Sequence, residues 1–393
     1  MSRLRTRAGD LIASARKAAV DVLGHRTVHL RPEGAPKGSV LLSYITRPFV
    51  LRPDDPWFNV HSNMWECKEI AQTFLDMGYA VDVIDWDDDR FEPRSEYSVF
   101  VDIHGNLERL SSRVGKDCIK ILHITGSHWL FQNQAEQARL SALQRRRGAT
   151  LSPRRTVPPS HGIEHADFAT MLGNDATAQT FAFSGKRIYQ IPVSAPVQFP
   201  WDDAKDFGAC RNSFLWMGSS GLVLRGLDLV LEAFAGMPDL RLTVCGPVDR
   251  ERDFEEEYRR ELYKTPNIST LGWVDTSGEQ FRDVVHSSVA LVYPSASEGQ
   301  STSVVTCMHA GLIPVISRES GVDVDGFGRI LSECSIDGIR ASVRAVSKMP
   351  AEELASMARR AWEYARAHHT REAFSREYRK AVAEILRSRS AAP

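Results

Sequence analysis

The sequence predicts an α/β protein built from two parallel-sheet halves, and three observations carry that expectation. Residues 291–317, LVYPSASEGQSTSVVTCMHAGLIPVIS, read as strand, polar loop, helix and strand. This unit sets ligand groups at the carboxyl ends of a parallel sheet. Short β-rich runs alternate with helical periods both before and after the midpoint, which implies parallel strands covered by helices on both faces. Residues 194–212 between the two runs carry two prolines, an acidic patch and no clear period, so a linker is expected at 197–212. A chain of 393 residues also exceeds one ordinary core, and two domains are the natural expectation.

The elements follow in order. Residues 1–35 form a basic extension. Its first 31 residues hold seven Lys/Arg and two Asp, and Leu4, Leu11, Ile12, Ala15, Ala19, Val22 and Leu23 share one helical face. That face suits an anionic membrane surface or packing on the protein body. The first half, 36–196, opens with a strand at Val40–Tyr44. A polar, Pro-rich stretch, TRPFVLRPDDPWFNVHSN, separates it from a helix at 64–77, which Gly78 stops. Strands are expected at Ala80–Ile84, Val99–Ile103 and Ile119–Ile124. Polar turns carrying histidine follow the last two: His104-Gly105-Asn106 and Gly126-Ser127-His128. A helix at 130–147 ends in Arg145-Arg146-Arg147-Gly148, and Ala166–Leu172 and Arg187–Ile191 complete this half.

The second half, 213–368, has strands at Phe214–Met217, Leu240–Cys245, Ile268–Leu271, Ala290–Tyr293 and Ile313–Ile316. Helices are expected between them at 227–236, 251–264, 278–286 and 302–310. Two more helices, 352–368 and 371–388, close the chain, with Thr370 as the N-cap between them. The final segment is 369–393.

Composition narrows the function. Hydrophobic residues make up 42% and charged residues 25%, an ordinary globular balance. A formal net charge of −1 gives no overall pull towards nucleic acid. The six cysteines are scattered without a C-x-x-C pair, which favours a reducing cytoplasm over a disulfide or zinc framework. No apolar run approaches the ~20 residues of a membrane span. A cytoplasmic protein is expected, with peripheral contact to the inner membrane face open through residues 1–31. Within 291–317, Glu298 and Gly299 occupy the loop before the helix. Free N–H groups there can hold a phosphate, and the carboxylate can accept hydrogen bonds from sugar hydroxyls. A nucleotide-sugar site is the first reading.

The second half resembles the C-terminal domain of GT-B glycosyltransferases, in particular retaining family four. FLWMGSSGLVLRGLDLVLEAFA looks like that family's strand, glycine loop and helix start, and PNISTLGWV like its next conserved strand. YPSASEG followed by MHAGLIPVIS looks like its acidic-loop segment. These motifs keep their order from Phe214 to Ser317, whereas the first half matches only in outline. The resemblance implies two Rossmann-like domains facing across a cleft, with the C-terminal helix returning to the N-terminal domain. It implies hexosyl transfer from a nucleotide-diphospho-sugar to a glycan, lipid-linked or small-molecule hydroxyl, with retention and without a metal or other cofactor.

Roles carry over residue by residue. Gly218, Ser219, Ser220 and Gly221 form a loop whose N–H groups can face a diphosphate. Arg225 supplies the cation that a metal-independent transfer needs. Glu298 contacts the donor sugar, with Gly299, Gln300 and Ser301 offering N–H groups beside it. Where the family usually has a second Glu, this chain has Thr306, which offers only an uncharged hydrogen bond. A histidine after an N-terminal strand helps bind the reacting sugar in related enzymes, and LHITGSHW makes His128 or His123 the match. His104, in Asp102-Ile103-His104-Gly105-Asn106, is a further candidate. His61, Asn174, Arg145 and Arg146 fall on the acceptor side.

The basic loop with Arg145, Arg146, Arg147, Arg154 and Arg155 suits a phosphorylated carrier, an acidic glycan or lipid head groups, or equally a solvated helix end. Asp87-Asp88-Asp89 follows a strand as a metal-binding Asp-x-Asp would, and is read as a solvated acidic turn. His161 and His165 read as surface residues. A nucleotide-sugar epimerase on the same fold, a non-catalytic sugar-binding partner and a membrane-surface scaffold remain open beside the transferase.

Overall fold

The computed structural model describes residues 27–52, 55–59 and 62–390. The basic extension up to residue 26 and His61 therefore lie outside the described residues. Two sheets organise the chain. The first has seven strands in the order β1-β3-β2-β4-β5-β6-β7. They are β1 (Val28–Leu30), β2 (Ser39–Tyr44), β3 (Ala80–Asp85), β4 (Val99–Asp102), β5 (Ile119–Ile124), β6 (Phe168–Leu172) and β7 (Ile188–Ile191). All pairings are parallel except β1 with β3. The second sheet is wholly parallel, in the order β10-β9-β8-β11-β12-β13. Its strands are β8 (Ser213–Met217), β9 (Arg241–Cys245), β10 (Ile268–Gly272), β11 (Ala290–Tyr293), β12 (Ile313–Ile316) and β13 (Arg329–Ile330).

Central strands such as Ala290–Tyr293 and Ile313–Ile316 are buried along their whole length. This is why they read as continuous apolar runs rather than alternating ones. In each sheet the strand order reverses once, between β2 and β4 and between β8 and β11. Doubly wound sheets open a ligand crevice at the carboxyl ends of the strands at such a reversal. The loops after β8 and β11 hold Arg225 and Glu298. They approach closely, since Ala296 N donates to Leu224 O at 2.9 Å. Gly226 has φ +73°, and a Cβ there would sit 2.7 Å from Pro294 O, so only glycine allows this approach.

The structure adds elements with weak sequence signals. Edge strands β1 and β13 have three and two residues. The helix Ile336–Ser347 has a clear apolar face, with Ile339, Val343 and Val346 buried, and was not expected. The helix expected at 251–264 is two, Arg252–Glu257 and Arg259–Lys264, broken at Tyr258, whose backbone leaves helical geometry while its ring stacks on Phe254. Four linker residues, Phe207–Cys210, are helical because Asp206 caps them through the N–H groups of Gly208 and Ala209.

The chain crosses between the sheets twice. The last helix, Arg371–Ser390, packs against the helix Ser62–Asp76 and against β6 and β7 of the first sheet. Its buried face includes Phe374, Tyr378, Val382 and Ile385. Thr370 Oγ1 accepts from Ala373 N at 3.1 Å. The two crossings touch: Ala195 N donates to His369 O at 3.2 Å, and His309 Nε2 donates to the same carbonyl at 2.9 Å.

Candidate functional site

A cleft of about 480 Å³ runs between the carboxyl ends of the two sheets. On the second-domain side, Gly218, Ser219, Arg225, Glu298, Gly299, Gln300, Ser301 and Thr306 line it. Arg225 and Glu298 are both largely buried and form an ion pair. Glu298 Oε1 also accepts from Tyr293 OH at 2.8 Å and Ser295 Oγ at 3.1 Å. Arg225 Nε donates to Ser220 O at 3.0 Å. Burial works against the Arg225 charge, but the Glu298 carboxylate outweighs it, and the guanidinium's proton is held more tightly than usual. Glu298 Oε2 and Arg225 Nη2 make no hydrogen bond among the described residues.

The backbone donors are distributed differently from the sequence expectation. Gly221 N and Leu222 N both donate to the Glu251 carboxylate, and Gly218 N to Cys245 O at 3.0 Å. Within this loop, Ser219 and Ser220 keep N–H groups without a partner among the described residues. Ser301 N is taken by Ser320 O at 2.9 Å. The Ser301 side chain caps the helix Thr302–His309 by accepting from Val304 N. The N–H groups of Thr302 and Ser303, at the first positions of that helix and also on the cleft wall, are the ones without an intrahelical partner. The Gln300 side chain is tied at the domain junction, accepting from Val193 N at 2.7 Å and donating to Gly321 O at 3.1 Å. Thr306 faces the cleft one turn after Thr302.

The first-domain wall consists of Tyr44, Asn59, Ser62, Asn63, Glu66, Thr125, Arg155, Leu172, Val193 and Pro196. Half of these residues, Tyr44, Asn59, Ser62, Asn63 and Thr125, present a hydroxyl or an amide. Glu66 accepts from Ser194 N at 3.0 Å, Ser194 Oγ at 3.1 Å and Ser62 Oγ at 3.2 Å. Burial raises its pKa to about 7 against the lowering effect of these bonds. Trp273, Asp275, Thr276 and Ser277, after β10, complete the cleft.

Of the described candidates from the first half, only Arg155 of the basic loop lines this cleft. His123 is fully buried, with Nδ1 2.8 Å from Thr170 Oγ1 and its ring between Tyr44 and Tyr378. Burial lowers its pKa to about 4, so it is a neutral core residue. His128 precedes the helix Trp129–Arg147 with its ring against Phe181 and Phe183. His104 lies against Trp86. The strand-end cluster beside it is structural, since Asp102 Oδ2 accepts from Leu107 N at 2.6 Å and Asn106 donates to Ser43 and Trp86. Asn174 caps a short helix and donates to Asp323 Oδ1 across the junction at 2.8 Å. Asp88 accepts from Arg90 N and Phe91 N, the mark of a polar turn.

The basic segment is corrected most. Arg145 is exposed, away from the cleft. Arg146 pairs with Asp228 and Glu232, Arg147 with Glu257 and Glu261, and Arg154 with Asp253, all in the second domain. Ser127 Oγ donates to Glu298 O at 2.6 Å and Thr177 Oγ1 to Gly299 O at 2.7 Å. These contacts hold the domains together beside the cleft. Arg146 and Arg147 are thus engaged with second-domain carboxylates and are not on the cleft wall. The sequence reading named Arg155 only as one of five arginines of the basic loop, and it missed Glu66 and Trp273. Trp273 alone carried a visible signal, a large aromatic just past a strand end, and it stays about half exposed.

Two Rossmann-like domains facing across a cleft, with a last helix returning to the first, define the GT-B class of fold. Within it, residues 211–349 match the family described as glycosyl transferases group 1. Fold and match together support a GT-B glycosyltransferase. The chain is similar in structure to sucrose-phosphate synthase from Thermosynechococcus elongatus (13% identity, TM-score 0.64, covering 90% of this chain and 100% of that one). It is also similar to Anabaena Alr3699/HepE, solved with UDP and glucose (12% identity, TM-score 0.55, covering 89% and 99%). TarM from S. aureus, solved with UDP and α-GlcNAc-glycerol, aligns at 12% identity and TM-score 0.51 over 77% of this chain. This chain spans 57% of that TarM chain. No curated protein matches by sequence. No helix among the described residues is long and apolar enough to cross a membrane.

Proposed function

We propose that the protein transfers a glycosyl group from a nucleoside-diphospho-sugar to a hydroxyl-bearing acceptor. The observation that carries this reading is the Arg225–Glu298 pair at the reversal of the second sheet, facing a hydroxyl- and amide-lined wall of the first domain. Arg225, with the N–H groups of Ser219, Ser220, Thr302 and Ser303, receives the diphosphate, whose negative charge grows as it leaves. Glu298 keeps one oxygen on Arg225 and turns Oε2 to the sugar hydroxyls. Thr306 gives the nucleoside side an uncharged contact. The acceptor enters along Tyr44, Asn59, Ser62, Asn63 and Thr125.

Retention fits this wall, because a front-face displacement needs no protein nucleophile. The acceptor proton passes to the departing diphosphate. Metal independence is part of the same reading, since fixed cations take up the leaving charge. A hexose donor is the reading's choice, and the UDP in the HepE and TarM structures makes UDP-sugars the first to try. Cytoplasmic residence accords with cysteines that are mostly buried free thiols.

The test is a thermal-shift panel of UDP-, GDP-, ADP- and TDP-sugars, followed by donor turnover with glycan and small-alcohol acceptors. A ligand at ~100 times its dissociation constant adds ~2.7 kcal/mol of stability. One donor class is expected to raise the melting temperature, and Arg225→Ala and Glu298→Ala each to cut turnover by about a hundredfold or more. Unchanged turnover in both variants, or no shift with any donor, overturns the reading.

A further inference from the structure

Four arginines in residues 146–155 face the second domain, and one differs from the rest. Arg146, Arg147 and Arg154 end on carboxylates. The Arg155 guanidinium makes no hydrogen bond or ion pair among the described residues, yet it lines the same cleft as Arg225 and Glu298. Its stem lies over the glycine loop of the second domain. A Cβ on Gly221 would fall 2.3 Å from Arg155 Cγ and 3.0 Å from Cδ.

The backbone that carries Arg155 is fixed. Arg154 N and Arg155 N both donate to Glu136 Oε1 at 2.8 Å. Gln132 Nε2 donates to Arg155 O at 2.6 Å, and Asn133 brackets Val157 through its amide and carbonyl groups.

Two like charges thus meet in one cleft, and the carboxylate that favours both of them, Glu298, is already engaged with Arg225. Removal from bulk water and then the charge of Arg225 press the Arg155 proton affinity down, while Glu298 and Tyr293 favour it. Such an arrangement is relieved by an anion bound between the cations. Ser219 and Ser220 N–H groups lie on the same loop that the Arg155 stem covers.

We propose that Arg155 is the second cation for the donor diphosphate, so that the leaving group is gripped from both domains at once. This rests on the nucleoside-diphospho-sugar reading of the cleft. Arg225 approaches from the second domain, where it is already balanced by Glu298. Arg155 approaches from the first and brings an unbalanced charge, matched to the additional negative charge that appears when the glycosidic bond to the diphosphate breaks. Binding of the diphosphate therefore also ties the first-domain loop to the glycine loop that it already covers.

The experiment measures affinity by calorimetry for UDP, GDP, ADP and TDP, and for the parent nucleoside of whichever binds tightest. Wild type is compared with Arg155→Gln, Arg155→Lys and Arg145→Gln, the last a control for charge on an exposed neighbour. Arg155→Gln is expected to weaken the diphosphate by about 10- to 100-fold, the range of a lost charge-assisted hydrogen bond. The nucleoside is expected to bind unchanged, Arg155→Lys to restore part of the loss, and Arg145→Gln to match wild type. With a working donor, kcat should fall along with affinity. The melting temperature of unliganded Arg155→Gln should equal or exceed wild type, because its guanidinium makes no hydrogen bond among the described residues and its removal relieves the repulsion from Arg225. Equal diphosphate affinity in wild type and Arg155→Gln overturns the Arg155 assignment alone. A loss shared equally by Arg145→Gln also overturns it. No diphosphate binding by wild type overturns the donor reading and this one with it.

Discussion

Replacing Gly299 by alanine would place a Cβ 2.6 Å from the Thr125 carbonyl oxygen, 2.7 Å from that of Leu172 and 3.0 Å from the Thr125 carbonyl carbon. All three are backbone atoms of the first domain, at the ends of β5 and β6, while Gly299 belongs to the second. No side chain can swing aside to make room. A carbon–oxygen contact settles at about 3.3 Å or more, so the seam must open by about 0.7 Å. The opening stretches two hydrogen bonds that cross the same seam, Ser127 to Glu298 O and Thr177 to Gly299 O. Overpacking of this kind costs roughly 1–3 kcal/mol. A loss near 2 kcal/mol corresponds to a melting shift of about 4–8 °C for a unit of 150–250 residues. Calorimetric melting, with scattering measurements of overall dimensions, reads the effect. Gly105→Ala is the matched control: its Cβ would meet nothing within 4 Å, and its φ of −99° suits any residue. Wild-type melting and dimensions in Gly299→Ala would refute the claim that this glycine sets the domain approach.

Two further outcomes concern charge. Burial raises Glu66 from its ordinary value of 4.5 to about 7, so between these values the native state binds more protons than the unfolded chain. Stability then falls as pH rises through that window. Glu66→Gln keeps an acceptor for Ser194 and removes the titration, so urea melts should show the variant gaining on wild type from pH 4.5 to 7 and the difference levelling off above; a pH-independent difference would count against this. Arg147 bonds Glu257, Glu261 and the Glu257 carbonyl and lies 4.5 Å over the Tyr258 ring. Arg147→Ala should cost about 2–3 kcal/mol at low salt, and less in about 1 M salt, by urea denaturation at the two ionic strengths.

Most of the architecture was legible because parallel strands buried on both faces announce themselves. Ile119–Ile124, Ala290–Tyr293 and Ile313–Ile316 stand in the structure with the bounds their apolar runs suggested. The edge strands β1 and β13 were silent, being too short for any pattern. At the cleft, the second-domain wall was readable because it lies in one continuous strand-loop-helix unit per residue group: Gly218 to Arg225 and Glu298 to Thr306. The first-domain wall was not. Glu66 sits on a helix after a long loop and Thr125 at a strand end, and nothing local ties either to Arg155, which stood out only as one of five arginines in its loop. The histidines misled for the same reason. A histidine next to a strand end has the same sequence appearance whether its ring turns to the cleft or, like His123, to Thr170 in the core. Arg155 and Arg154 are neighbours with opposite fates, and only the anchoring by Glu136 and the position of Asp253 separate them.

The helix Ala351–His368 bears on any attempt to transplant the donor half into another protein. It packs on the helix Thr302–His309 and on β12, with Leu354, Met357, Ala358, Ala361 and Ala365 buried. A fragment cut at residue 349, where the family match ends, would strip this cover and lay bare the far side of the helix whose first turn faces the cleft. A graft that is to stay soluble should therefore run from Asp206 through His369, which keeps the short helix Phe207–Cys210 packed on Ala351–His368. Ending the graft at His369 rather than His368 keeps the carbonyl that His309 Nε2 bonds.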